Sequence, residues 1–484
     1  MDIVEVSIGG LQDALASGAT SSEKLTAAYL DRIDALGESG PKLNAVRESN
    51  PDALSIAAAL DAERRAGKLR SPLHGIPIVL KDNIGTADAM RTTAGVHALG
   101  GLRTPFDAGL VRRLRAAGAV LIGKANCPDF CDYMASTMPS EHSTTGGIIG
   151  HPYGLRYGRG GGSSTGVAAA VASSMAAAGV GSETQNSIQA PCANSGLVGI
   201  KPTLGLVSRS GMVPLATTQD TAGPIARSVR DAALLLSAMA GPDHDDTITY
   251  SALGAVHADY ARFCSDSALV GARIGVARRE FFGREGRAGI DALVNAAIAA
   301  MHAAGAQIVD PADIPTAPTV MPMLSRVFRT DFKAGLNAFL ARCGEASAVR
   351  SMREIIAHNE MHGSAAMPFG QDLLIAADAT AGDWSEPAYH ADRARDIRLT
   401  RDEGIDRIMS EHRLDAIVVP MDHAAKFTGK AGYPAITVPC GYTEDGAPAG
   451  ISFIGRAFSE PRLIGIAHAF EQATRLRRAP LFPA

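Results

Sequence analysis

Three linked segments constrain the fold more than any other feature of the chain: "GIPIVLKDN" (75–83), "DAGLVRRLRAAG" (107–118) and "AGAVLIGKAN" (117–126). The first and third are short, rich in β-branched residues, and end in polar turns. The second has apolar residues at helical spacing and stops at glycine. Strand, helix, strand in this order predicts an α/β sheet with helices packed on it.

The rest of the chain repeats the theme. "TSSEKLTAAYLDRIDAL" carries a serine cap with Glu at capping-box spacing and opens the fold as an amphipathic helix. A glycine loop leads into a small-residue helix expected over 166–178. Later come "GARIGVAR", a helix from about 289 to 304, the strands "DAIVVP", "AITVPCG" and "GISFIG", and a terminal helix "EPRLIGIAHAFEQATRLRR". No Pro/Ser linker, low-complexity tract or repeat divides the 484 residues. The expectation is one α/β domain over 1–484, with a central mixed, twisted sheet covered by helices. Its core, 60–235, carries the motifs, and a helical segment, 310–410, shapes the substrate site.

Bulk properties exclude several classes. Lys plus Arg (46) nearly balance Asp plus Glu (50), so the basic excess of a nucleic-acid binder is missing. The densest basic spots, Arg112, Arg113 and Arg115 and the tail Arg475, Arg477 and Arg478, sit in helical patterns and read as solvated faces. The most apolar run, 166–181, is short and made mainly of Ala, Gly and Ser, a buried helix and not a membrane span. The N-terminus lacks the pattern of a signal peptide. Six cysteines without a CxxC pair make no disulfide framework. The expected setting is cytoplasmic, as a monomer or homodimer.

Single motifs are weak. "GAVLIGKA" nearly fits a phosphate loop, but strand-formers fill its interior and Ala125 stands where a hydroxyl belongs. "HNEMH" puts His358 and His362 on one helix face, yet no third metal ligand is evident. "GSSTG" fits a nucleophile elbow on Ser164 but follows loop residues and not a strand. Cys192 lacks a neighbouring His signal and reads as packing. No metal and no cofactor are expected.

The combination of blocks is specific. "LHGIPIVLKDNI", "GGGSST", "GSETQNSIQAP", "GLVGIKPTLGLVSRSG", "QDTAGPIARSV" and "AGYPAITVPCGYTEDGAPAGISFIG" together closely resemble the amidase signature family across nearly the whole chain. "SETQNSI", "FKAGLNAFL", "HNEMH" and "AGYP" look most like its peptide-amidase branch. The resemblance implies a catalytic lysine at Lys81, a bridging serine at Ser163, which in the family follows a cis peptide bond, and a nucleophile at Ser187, 24 residues later. It also implies an oxyanion hole from the backbone N–H groups of Thr184, Gln185, Asn186 and Ser187.

The chemistry of such a set is coherent. A serine hydroxyl needs a base. Lysine serves only when neutral, a state that a low-dielectric surrounding favours, and Lys81 ends an apolar strand. Ser163 can accept the proton of Ser187 while passing its own to Lys81. Gln185 and Asn186 stand where the family usually has small residues, and Gln189 where an arginine is common; Thr165 and Val167 also replace small residues. Asn tolerates left-handed backbone, so the turn can survive. Tyr133, Met134 and Gln189 are the expected substrate contacts. The implied activity is hydrolysis of a small-molecule carboxamide, or a related aryl amide, ester or carbamate. Two alternatives stand beside it: an amidotransferase-type glutaminase, which works with partner subunits, and an acyl transferase or non-hydrolytic relative.

Overall fold

The computed structural model describes residues 2–157, 161–284 and 289–482. Of the expected glycine loop, 158–160 lie outside the described residues.

Thirteen strands occur among the described residues: β1 (Val46–Ser49), β2 (Pro77–Lys81), β3 (Val120–Ala125), β4 (His142–Ser143), β5 (Gly147–Ile148), β6 (Ala178–Glu183), β7 (Val198–Lys201), β8 (Thr221–Ala226), β9 (Arg273–Val276), β10 (Gln307–Val309), β11 (Ala416–Pro420), β12 (Ala435–Tyr442) and β13 (Pro448–Ile454). Eleven of them form one mixed sheet in the order β1-β3-β2-β6-β8-β7-β12-β13-β11-β9-β10, and β4 and β5 pair separately. The α/β class read from the sequence is the class observed. The expected strand, helix, strand unit is β2, the helix Gly109–Ala116 and β3, with β2 and β3 parallel.

That parallel pairing positions the site. β2 also runs parallel to β6, with Ile78, Val79 and Leu80 opposite Ala178, Gly179 and Val180. Both strands are buried along their length, as parallel strands covered on both faces must be. Their carboxyl ends, Lys81 and Glu183, therefore emerge at the same edge, where ligands of α/β sheets bind.

The helix Thr165–Ala172 packs on this part of the sheet, and all eight of its residues are buried. It comes close because its facing positions are small. A Cβ on Gly181 would lie 2.7 Å from Ser164 Oγ, and one on Gly166 would lie 2.2 Å from the Asn126 carbonyl. The helix is shorter than the expected 166–178. It ends at Ala172, Ser174 takes a left-handed backbone (φ 55°), and β6 begins at Ala178. Serine side chains compete with the helical backbone for hydrogen bonds, which makes the Ser173–Ser174 pair a natural stop.

Helices fill much of 310–410, including Val327–Cys343, Met352–His362, Asp372–Asp378 and Pro387–Thr400. They build a second core in which Phe332, Leu336 and Ile355 pack with Val96, Phe130 and Leu215 from the half that carries β2 and β6. The terminal helix ends at Thr474, so Arg475, Arg477 and Arg478 lie beyond it; Arg477 pairs with Glu5. Arg112 and Arg115 are paired with Asp243 and Asp88. No helix among the described residues is long and apolar enough to cross a membrane.

Candidate active site

Lys81 closes β2 and is fully buried (0% exposed). Its Nζ lies 2.6 Å from Ser163 Oγ, 3.0 Å from Ser182 Oγ and 3.3 Å from the Ser182 carbonyl. Asn83 Nδ2 donates to Ser182 Oγ (3.1 Å) and to the Val213 carbonyl (3.2 Å), which fixes the serine that faces the lysine. Among the described residues no carboxylate comes within ion-pair distance of Lys81. The adjacent Asp82 is turned away and taken by Arg47, at 2.9 Å from Nε and 3.0 Å from Nη2, and by the hydroxyl of Thr93. The buried lysine is thus held by hydroxyl and carbonyl oxygens alone, among the described residues.

The Gly162–Ser163 peptide is cis, and Ser163 is fully buried. Ser164 is structural in its bonding. Its Oγ donates to the Ser182 carbonyl (3.2 Å) and accepts from Ser182 N (3.3 Å), while its backbone N donates to the Ser187 carbonyl (3.1 Å). One short segment therefore joins the end of β6, the serine loop and the turn that carries Ser187.

That turn follows β6 directly. Ser187 is 7% exposed, and Gln185 and Asn186 are half-buried. Two buried carboxyl groups brace it. Thr184 Oγ1 donates to Asp220 Oδ1 (2.6 Å), and Asp220 Oδ2 accepts from Leu215 N (2.8 Å) and Ala216 N (3.0 Å). Glu183 Oε2 accepts from Ile188 N (2.6 Å) and Gln189 N (2.9 Å). Burial pushes the Asp220 carboxyl up to about 6 and that of Glu183 up to about 7. Neither acid stands out in the sequence, because its role depends on partners that only the fold supplies.

The expected substrate contacts divide. Tyr133 and Gln185 line a cleft of about 540 Å³ together with Phe328, Arg329, Lys426 and Lys430. The Tyr133 ring packs 5.4 Å from Phe328 and 5.7 Å, edge-on, from Phe332. Met134 is 2% exposed and belongs to the core behind this wall. Gln189 is fully buried: its Nε2 donates to Glu183 Oε1 (2.5 Å) and Thr428 Oγ1 (3.2 Å), so it ties the turn to the helix Ala425–Ala431 and does not face the cleft. A side chain shorter than arginine, next to a buried acid, is drawn inward. Cys131, which sequence reasoning passed over, sits beside this set. It lines a small cavity with Asn83, Ser182 and Thr184, and its thiol is held below the usual range, chiefly by the neighbouring Cys127. Cys192 is buried and its thiol is pushed up by burial, in keeping with packing. A larger cavity of about 690 Å³, between His151, Asn194 and Thr443, contains none of these residues.

The Amidase family model matches residues 24–431. The chain is 36% identical over 491 residues to a probable amidase of Arabidopsis thaliana, covering 100% of this chain and 92% of that protein. It is 34% identical over 509 residues to a glutamyl-tRNA(Gln) amidotransferase subunit of Cupriavidus necator, covering 98% and 97%. In structure it superposes on the native peptide amidase of Stenotrophomonas maltophilia with a TM-score of 0.93 and 42% identity, over 99% of both chains. The large mixed sheet flanked by helices makes the chain an α/β protein of a single large fold. The chain belongs to the amidase family, hydrolases that act on amides. The likeness to the peptide-amidase branch read from its motifs is the likeness found.

Proposed function

We propose that the chain is a serine amidase that hydrolyses carboxamides through an acyl-enzyme on Ser187, with Ser163 as relay and Lys81 as base. The observation that carries this reading is the 2.6 Å approach of Lys81 Nζ to Ser163 Oγ, in a fully buried site tied by the Ser164–Ser187 backbone bond to the turn bearing Ser187.

Ser187 Oγ attacks the amide carbonyl as its proton passes to Ser163 Oγ and that of Ser163 to Lys81 Nζ. The carbonyl oxygen gains a negative charge. It is met by backbone N–H groups of the turn Thr184, Gln185, Asn186 and Ser187; among the described residues those of Gln185 and Ser187 have no acceptor of their own. Reversal of the relay protonates the leaving nitrogen, the C–N bond breaks, and ammonia or an amine departs. Water then attacks the ester with the same relay as base, releasing the acid and restoring Ser187. The cleft sets the aromatic rings of Tyr133 and Phe328 beside the cationic side chains of Arg329 and Lys426, and the likeness to a peptide amidase supports a peptide amide as substrate.

The amidotransferase-type glutaminase is the second reading, supported by 34% identity to a protein of that kind. The two separate in one experiment. The purified chain is offered an amidated dipeptide, a linear aliphatic amide, an anilide, an aryl carbamate and glutamine, each beside Ser187→Ala. Turnover of the dipeptide amide that vanishes in Ser187→Ala supports the proposal. Turnover of glutamine alone supports the second reading, and product only with added hydroxylamine supports an acyl transferase.

A further inference from the structure

The histidines of "HNEMH" acquire in the fold a third neighbour that the sequence does not reveal. His97 begins a short 3-10 turn, His97–Leu99, which packs against the helix Met352–His362. One ligand atom from each of His97, His358 and His362 lies within 4.8 Å of the others. His97 Nδ1 and His358 Nε2 are 2.9 Å apart, and the His358 and His362 rings stack at 4.1 Å.

From this geometry we infer that His97, His358 and His362 form a binding site for a divalent transition-metal ion such as Zn²⁺ or Co²⁺. None of the three histidines is among the bonding partners of Lys81, and the site clamps the helix Met352–His362 onto the 97–99 turn.

Three lines of chemistry support it. Tetrahedral coordination with metal–nitrogen bonds of about 2.0–2.1 Å puts ligand nitrogens roughly 3.3 Å apart, within the span these atoms already occupy. The close approach of His97 Nδ1 to His358 Nε2 brings two donors to the place where the cation would sit. Next, His362 Nδ1 lies 2.8 Å from the His358 carbonyl. Donation to that oxygen puts the proton on Nδ1 and leaves Nε2 as a lone-pair donor, the arrangement that metal-ligating histidines commonly use. Finally, all three donors are imidazole nitrogens, a ligand set of borderline softness. An all-imidazole set suits zinc, cobalt, nickel or copper and not magnesium or calcium.

A cation here binds the folded chain only, because 261 residues separate His97 from His358. It therefore lowers the unfolding equilibrium constant by the factor 1 + [M]/Kd, about 100-fold at 100 times Kd. It joins a turn of the catalytic half to a helix of the 310–410 segment, and so sets how firmly that segment sits.

The test uses untagged full-length protein, freed of metal by chelation and titrated with Co²⁺ and then Zn²⁺. One equivalent of Co²⁺ per chain is expected, with visible d–d absorption of a low-coordinate nitrogen site that Zn²⁺ bleaches, and a rise in thermal midpoint with Zn²⁺. His97→Ala and His362→Ala each lose the absorption and the midpoint rise. His362 is exposed, so its replacement leaves the fold intact and keeps the test decisive. Absence of stoichiometric binding in the wild type, or identical binding in both variants, overturns the site.

Discussion

Lys81 Nζ stands 2.6 Å from Ser163 Oγ, and both residues are wholly sealed from solvent. A lysine in this position has no surface role to perform, and it faces hydroxyl groups instead of a carboxylate. The proposed relay makes it the final proton acceptor. Lys81→Met keeps the length and apolar stem and removes the amine, so kcat should fall by about 10²–10⁴-fold, the usual scale of acid–base assistance. KM should change little, because no substrate contact is lost. Steady-state kinetics on an amidated dipeptide checks both numbers; an unchanged kcat removes Lys81 from the mechanism.

Gly429 packs directly against the turn Thr184–Ser187, which the proposed mechanism uses to hold the oxyanion. A Cβ at this position would lie 2.5 Å from the Thr184 carbonyl and 3.0 Å from Gln185 Cα. Gly429→Ala therefore displaces the turn by a fraction of an ångström. Small misplacement of catalytic groups costs up to about 100-fold, so kcat should drop by roughly 10–100-fold with circular dichroism unchanged. Gly101→Ala, where the added Cβ meets nothing within 4 Å, should leave the rate alone.

Tyr133 contributes a ring to the cleft wall beside Phe328. Tyr133→Ala removes an aromatic surface worth about 1–2 kcal/mol, or roughly tenfold in affinity. KM should rise for amides with aromatic acyl groups and rise less for acetyl-sized ones. Comparison of the two substrate series in wild type and variant measures it.

Asp129 supplies a pH signature. Burial pushes its carboxyl up to about 8, although Thr144 donates to it from N (2.8 Å) and Oγ1 (3.2 Å). The unfolded chain releases this proton near pH 4, so between about 4 and 8 the folded state holds a proton that the unfolded state has lost. Stability from this group is therefore complete below pH 4 and declines as pH rises towards 8, by at most about 1.4 kcal/mol per pH unit. In urea unfolding at pH 5 and pH 8, wild type should lose more stability than Asp129→Asn over that interval. Parallel losses in the two proteins would contradict the assignment.

The sheet was legible because its central strands advertise themselves. "PIVLK" and "VLIGKA" are apolar runs bounded by turn residues, and a parallel pairing follows from the helix between them. Lys81 and Ser163 are singled out by whole blocks of sequence that resemble a family, and the fold brings the two side chains together. Local physics alone left Ser163, Ser164 and Ser187 undivided. What the sequence concealed has one cause: buried polar partners are chosen across long separations. Asp220 braces Thr184 from 36 residues away, and Gln189 turns inward because Glu183 and Thr428 receive it. His97 meets His358 across 261 residues. No periodicity or spacing rule encodes such pairs. The early end of the helix at Ala172 is subtler, since alanine favours helix on both sides and only the Ser173–Ser174 pair marks the stop.

The most direct test of the central claim is to trap the covalent intermediate. The enzyme is mixed with an activated aryl ester of an N-protected amino acid, quenched in acid within the first turnover, and read by intact mass and peptide mapping. One acyl group per chain is expected on the peptide containing Ser187, and none in Ser187→Ala. Acylation of Cys131 or Cys192 instead, or full amide turnover by Ser187→Ala, would contradict it.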